Sequence, residues 1–131
     1  MTRLAGQPAP WIVENVATAQ MRADFMLCGS MFGLNVYRHR KFHLDPRVGA
    51  LLALPPHPRH RVASDRRKSR ASVAAGYVLG VHGNLHPSYF PHAAAAMGID
   101  WMSQDEEGYE LSQAIPPAYT EYIGAQLLEM L

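Results

Sequence analysis

Two consecutive prolines, Pro116 and Pro117, constrain this chain more than any other pair of residues. A proline ring is accepted in the first turn of an α-helix and breaks the interior, so a helix can start here but cannot run through. Beyond this point Tyr119, Ile123, Leu127 and Met130 recur at three- and four-residue spacing, with Tyr122 and Leu131 alongside and Glu121 and Glu129 among the more exposed positions. The pattern predicts an amphipathic C-terminal helix whose apolar stripe packs on another element.

Upstream the signals are short strands between turn residues. After Ala9-Pro10, Trp11-Ile12-Val13 reads as a buried strand that ends at the polar pair Glu14-Asn15. A polar edge following a strand is where open α/β folds place ligand contacts. Leu34 and Val36 alternate with Asn35 and Tyr37 before Arg38-His39-Arg40-Lys41-Phe42, which predicts a second strand ending in a basic turn. Arg38 and Arg40, two residues apart on an extended segment, aim at one face. There two guanidinium groups can clamp an anion or a base edge, or simply protect a solvated strand edge. Gly76 to His82 reads as a third strand, leading to the turn pair Gly83-Asn84, and Ala93 to Met97 as a helix closed by Gly98. Ser103 and Glu106 have capping-box spacing for a short acidic helix. Between 43 and 75, Leu51, Leu52 and Leu54 are followed by Pro55-Pro56 and Pro58, which stop any regular helix. With 131 residues, 48% of them hydrophobic, the chain is sized for one modest core.

Charge is distributed unevenly. All twelve Lys and Arg residues lie within positions 1–70 against four acids, whereas 71–131 holds seven acids and no Lys or Arg. Such asymmetry suits a positive surface that meets phosphates, and equally suits opposite charges that only aid solubility and folding. The densest basic run comprises Arg59, Arg61, Arg66, Arg67, Lys68 and Arg70, with Asp65 the one acid among them. Clustered cations gain from counterion release on a nucleic acid; the same run also reads as a solvated loop. Cys28 is the single cysteine, and the seven histidines show no finger-like spacing, so no disulfide and no metal site is expected. No stretch approaches the roughly 20 apolar residues that span a bilayer, and no secretory signal opens the chain, so a cytoplasmic location is expected.

Residue identity adds what periodicity cannot. Ile12-Val13-Glu14-Asn15-Val16 resembles the Glu-Asn-Val motif of DNA cytosine-5 methyltransferases. Leu27-Cys28-Gly29-Ser30-Met31-Phe32-Gly33-Leu34 followed by Arg38-His39-Arg40-Lys41-Phe42 resembles the connection to that family's Arg-x-Arg motif, especially in phage-like members. Gly98-Ile99-Asp100-Trp101-Met102, through Ile115-Pro116-Pro117-Ala118-Tyr119-Thr120-Glu121-Tyr122-Ile123-Gly124, is similar to the closing block of the same branch. Three ordered blocks span nearly the whole chain.

The resemblance implies the C-terminal part of a Rossmann-like α/β methyltransferase fold that uses S-adenosylmethionine, with a short recognition region inserted. Residues 1–42 would be a partial catalytic domain, 43–97 a short basic target-recognition-like region, and 98–131 the closing segment and helix. In this family the target cytosine is flipped out of the duplex, a Pro-Cys cysteine attacks C6, and C5 takes the methyl group; flipping is needed because the reacting atoms are inaccessible in the stack. Glu14 matches the glutamate that contacts the ring nitrogen and amino group, a role a carboxyl suits because it can exchange a proton and accept from the amine. Asn15 would support the local loop. Arg38 and Arg40 match the two arginines expected near the flipped nucleotide, while Val36 stands where the family has glutamine. Ser112-Gln113-Ala114-Ile115 replaces a more usual Gly-Asn-Ala-Val, making Gln113, Ala114 and Ile115 the implied cofactor-side residues. Arg59, Arg61, Arg66, Arg67, Lys68 and Arg70 would contact the DNA backbone, and charge alone names no base sequence.

The family's Gly-rich cofactor loop and Pro-Cys nucleophile both precede Glu14, and the thirteen residues before Glu14 contain neither. The expectation is therefore an incomplete enzyme that works with an N-terminal partner part on double-stranded DNA. The alternatives are a non-catalytic DNA-binding remnant or regulatory subunit, and a structural subunit of an RNA methyltransferase.

Overall fold

The computed structural model describes residues 6–48, 53–63, 69–104 and 109–130, with side chains omitted at 69 and 70. Among the described residues six short strands and four α-helices occur in the order β1 (Ile12–Val16), β2 (Phe25–Leu27), β3 (Val36–Tyr37), β4 (Arg40–Leu44), β5 (Arg61–Val62), α1 (Ser69–Ala74), β6 (Tyr77–Gly80), α2 (Phe90–Met97), α3 (Tyr109–Gln113) and α4 (Pro117–Met130), with one 3₁₀ turn at Gly29–Phe32 between β2 and β3. The result is a small mixed α/β fold with two three-stranded sheets, without a clear Rossmann topology.

The first sheet has the order β1-β4-β2, with β4 antiparallel to both neighbours. Its register sets Glu14 opposite Phe42 and Val16 opposite Arg40. Glu14 and Asn15 therefore lie inside the strand instead of at a polar end. The reason is tertiary: β4 offers a full ladder as far as Val16, and pairing overrides the loss of apolar character after Val13. Phe25, Leu27, Phe42 and Leu44 form the buried face, and Tyr119 and Ile123 of α4 pack over it. Phe25 and Phe42 stack with ring centroids 5.2 Å apart.

The second sheet has the order β3-β6-β5, and all its pairs are parallel. Val36 and Leu79 join Tyr89, Phe90, Ala93 and Met97 around α2, together with Leu111 of α3, in a separate apolar cluster. Helix α2 ends as its residues predict, with Gly98 in the left-handed region at φ 71° and its N–H returned to Ala94 and Ala95 carbonyls. Helix α4 begins at Pro117, as the proline pair requires. The capping-box helix expected from Ser103 and Glu106 involves residues outside those described.

The basic triplet is not a turn. Arg38 and His39 cross from the second sheet to the first, and Arg40 already belongs to β4. No helix among the described residues is long and apolar enough to cross a membrane.

Candidate functional site

The crossing at Arg38-His39 brings together residues from distant parts of the chain. Arg38 is buried, with 6% of its surface exposed. Its guanidinium donates to Val81 O at 2.5 Å, Ser112 O at 2.5 Å and Ala114 O at 2.6 Å, with a further bond from Nε to Ala114 O at 3.1 Å. Burial, and next the nearby Arg40 charge, lower its pKa to about 10, so it remains a cation at neutral pH. The backbone carbonyl of Arg38 accepts from the Tyr119 hydroxyl at 2.6 Å. Burial holds that phenol well above its ordinary pKa, keeping it a neutral donor. Arg38 thus ties the crossing to α3, to the segment after β6 and to α4.

Arg40 takes a different course. Its Nε lies 3.0 Å from Glu14 Oε1, across the β1–β4 ladder. That nitrogen makes no aligned hydrogen bond, so the contact is an ion pair set by charge and register rather than by a directed N–H. The Glu14 side chain keeps 32% of its surface exposed against 12% for Arg40. The carboxylate is thus held from one side and open on the other.

A cleft of about 420 Å³ opens at the same place, lined by residues that include Val16, Thr18, Arg38, Arg40, Gly80 and His82. Glu14 does not line it directly and reaches it through Arg40. The fold therefore gathers Glu14, Arg38 and Arg40 within one neighbourhood. The three residues that the resemblance sets on the cofactor side do not line that cleft. Ala114 gives its carbonyl to Arg38, Ile115 packs against the first sheet's core, and Gln113 is exposed with its amide 3.4 Å from Ser112 Oγ.

Of the basic run, Arg59 is exposed. Arg61 sits in the edge strand β5, not in an irregular loop, with its guanidinium 4.4 Å from the centroid of the Tyr77 ring and bonded to Ala75 O at 3.2 Å. Arg66, Arg67 and Lys68 lie outside the described residues, as does the Arg70 side chain on α1.

One grouping has no counterpart in the sequence pattern. Cys28, His39, His57 and His60 converge beside the crossing, each offering one ligand atom within 4.8 Å of the others. Imidazole crowding and burial account for a lowered His39 pKa, burial being the larger cause. Spacing arguments, which predict no metal site, miss this set because its members come from the end of β2, the crossing, and the segment 53–60. The Cys28 and His39 positions are shared with the two linker motifs, and His57-x-x-His60 is the one local signal in the sequence.

No family model, no curated protein and no solved structure matches the chain.

Proposed function

We propose that this chain is the C-terminal part of a DNA cytosine-5 methyltransferase, in which Glu14 holds the ring-nitrogen and amino edge of a flipped cytosine. What supports the reading is a convergence. The blocks that resemble the family, far apart in sequence, are joined through the arginine pair: the Arg38 side chain reaches Ser112 and Ala114 and its carbonyl meets Tyr119, while Glu14 pairs with the neighbouring Arg40.

On this reading each residue has a distinct role. A carboxyl that protonates can donate to the cytosine ring nitrogen while its other oxygen accepts from the amine, and such contacts strengthen as charge builds on the ring during attack. Arg40 is a positioning residue, fixing the Glu14 side chain from across the ladder. Arg38 is also a positioning residue, since its donors are already committed to carbonyl groups. Methyl donation would be supplied by S-adenosylmethionine. Among the implied cofactor-side residues only Gln113 presents a polar side chain at the surface, so most of the cofactor's contacts, like the nucleophilic thiol, must come from a segment other than these residues. A mostly parallel sheet often carries antiparallel strands at one edge, and β1, paired on one side by β4, has no partner among the described residues on its other side. That free edge is a suitable seam for the nucleophile-bearing part.

The test is transfer of a labelled methyl group from S-adenosylmethionine to double-stranded DNA. The chain alone is expected to be inactive, and activity is expected when a part carrying the Pro-Cys and Gly-rich segments is supplied. In the reconstituted enzyme Glu14→Gln should lower the rate by about 100-fold or more, the scale of a lost general acid–base or electrostatic interaction. Transfer by the chain alone, or full activity of the Glu14→Gln enzyme, overturns the reading. A second reading, a DNA-binding remnant without catalysis, is favoured by the exposed Arg59 and the ordered Arg61. It expects salt-sensitive DNA binding and no methylation under any reconstitution.

A further inference from the structure

We propose that Cys28, His39, His57 and His60 bind one Zn²⁺ ion as a closed, structural site. Cys28 is buried directly after β2, His39 lies in the crossing between the sheets, and His57 and His60 are carried by the segment 53–60. A tetrahedral ion with bonds of about 2.3 Å to sulfur and about 2.0–2.1 Å to nitrogen sets its ligand atoms roughly 3.3–3.6 Å apart. Here Cys28 Sγ and His60 Nε2 are 3.6 Å apart, and His39 Nε2 and His57 Nε2 are 3.2 Å apart. All four ligand atoms fall within 4.8 Å of one another, so the wider pairs need only contract around an ion.

The surroundings fit a metal better than four independent groups. Two imidazole nitrogens at hydrogen-bond distance can share a proton, which accounts for His39 and His57. It does not account for a thiol and a third imidazole gathered onto them. His60 Nδ1 is moreover buried without a hydrogen-bond partner, although the ring's other nitrogen already faces sulfur. Ser30 Oγ donates to Cys28 Sγ at 3.4 Å, the kind of outer contact that steadies a metal-bound thiolate. The Tyr37 ring covers the cluster, with centroids 4.5 Å from His39 and 5.3 Å from His60. On binding, the Cys28 S–H bond breaks and its proton leaves to solvent as the sulfur–zinc bond forms, while each histidine donates a nitrogen lone pair. Four protein ligands leave no open position for a reacting water, which makes the site structural. Its effect would be to pin the segment 53–60 against the crossing, setting where Arg59 and β5 stand relative to the cleft.

The experiment is a Co²⁺ titration of the full chain after chelator treatment, read by visible absorption and followed by Zn²⁺ displacement. One equivalent of Co²⁺ is expected, with the strong ligand-field bands of a tetrahedral ion and a thiolate-to-cobalt charge-transfer band, both abolished by one equivalent of Zn²⁺. Because Cys28 is the single cysteine, that charge-transfer band can come from no other residue, so the unsubstituted chain decides the matter even if a variant unfolds. Cys28→Ser should remove the charge-transfer band and His60→Ala should weaken Co²⁺ binding by about 10-fold or more. His92→Ala, on α2 outside the cluster, should change neither. Absence of saturable one-to-one binding, or a weak six-coordinate spectrum with no thiolate band, overturns the proposal.

Discussion

The hydroxyl of Tyr119 donates to the backbone carbonyl of Arg38 at 2.6 Å, fastening the C-terminal helix to the point where the chain passes from one sheet to the other. Both groups are buried, so neither has water to turn to. Tyr119→Phe keeps the ring's tilted contact with Phe32 and its edge contact with Phe42 and removes only this bond. A buried carbonyl left without its donor costs about 1–2 kcal/mol, or roughly 3–8 °C in melting temperature for a domain of this size. Thermal unfolding monitored by circular dichroism measures it; an unchanged midpoint would show that the bond contributes nothing net.

Arg38 should matter more than Tyr119. Arg38→Met fills similar volume but strands the carbonyl oxygens of Val81, Ser112 and Ala114. A loss of about 3 kcal/mol or more is expected, and Arg38→Lys should recover only part of it because one ammonium cannot reproduce a planar fork. Urea denaturation of the two variants, compared at equal m-value, gives the ordering directly.

Gly29 and Gly98 make a contrasting pair. A Cβ on Gly29 would sit 2.3 Å from Val36 Cγ1 and 2.7 Å from Val36 O, whereas one on Gly98 meets nothing nearer than Leu34 Cδ2 at 3.8 Å and suffers only from its positive φ. Gly98→Ala is expected to cost about 1 kcal/mol and Gly29→Ala about 3 kcal/mol. Equal effects in chemical denaturation would contradict the close approach of Val36 to the turn after Cys28.

Acid should unfold the protein through two aspartates. Asp45 accepts from the Arg47 guanidinium and from its backbone N–H, which hold its pKa down to about 2; Asp24 is lowered chiefly by the backbone N–H of Leu44. A carboxyl more acidic when folded contributes stability that is fully present above the unfolded value near ~4 and is lost as pH falls through the folded value. The urea midpoint should therefore decline from about pH 5 to pH 2, and Asp45→Asn should flatten that decline while lowering the midpoint at pH 7. A midpoint indifferent to pH across this window would exclude both carboxylates as contributors.

Binding of phosphates by Arg59 and Arg61 has a thermodynamic signature. Removing one arginine that neutralises a phosphate should reduce the slope of log K against log salt by about 0.9 on duplex DNA. Arg61→Ala also removes the cation over Tyr77, so Arg59→Ala, exposed and outside that packing, is the cleaner measurement. An unaltered slope for both would place DNA elsewhere on the chain.

The features written into the sequence most plainly are the ones decided locally. Pro117 and Gly98 set a helix start and a helix end through their own backbone restrictions, and β6 stands out between its glycines. Strand β2 is hidden because its three apolar residues, set among polar neighbours, are too short a run to carry a period and become a strand only when β4 pairs with them. Strand β5 is hidden within a basic run because two residues, both exposed, gain their extended form from β6 alone. Glu14 is singled out in the sequence only by a resemblance, and its pairing with Arg40 is not legible there at all, since cross-strand register is settled by the whole ladder. The Cys28–histidine cluster lies furthest out of reach, being assembled from three segments whose separation along the chain follows no ligand-spacing rule.

The middle strand of the first sheet, β4, is also the last of that sheet to be made, and Arg38 must wait far longer for its partners than β1 does for β4. Ser112 lies 74 residues downstream of Arg38. At the ~5–20 residues per second of polypeptide synthesis, that interval is roughly 4–15 s. Val81 is made after 43 residues, but until Ser112 and Ala114 follow, the guanidinium has one of its three carbonyl partners and the rest of its donors are expected to stay hydrated on the nascent chain. A ribosome stalled before Ser112 should hold a chain whose first sheet is protected and whose Arg38 is still accessible to guanidine-directed reagents.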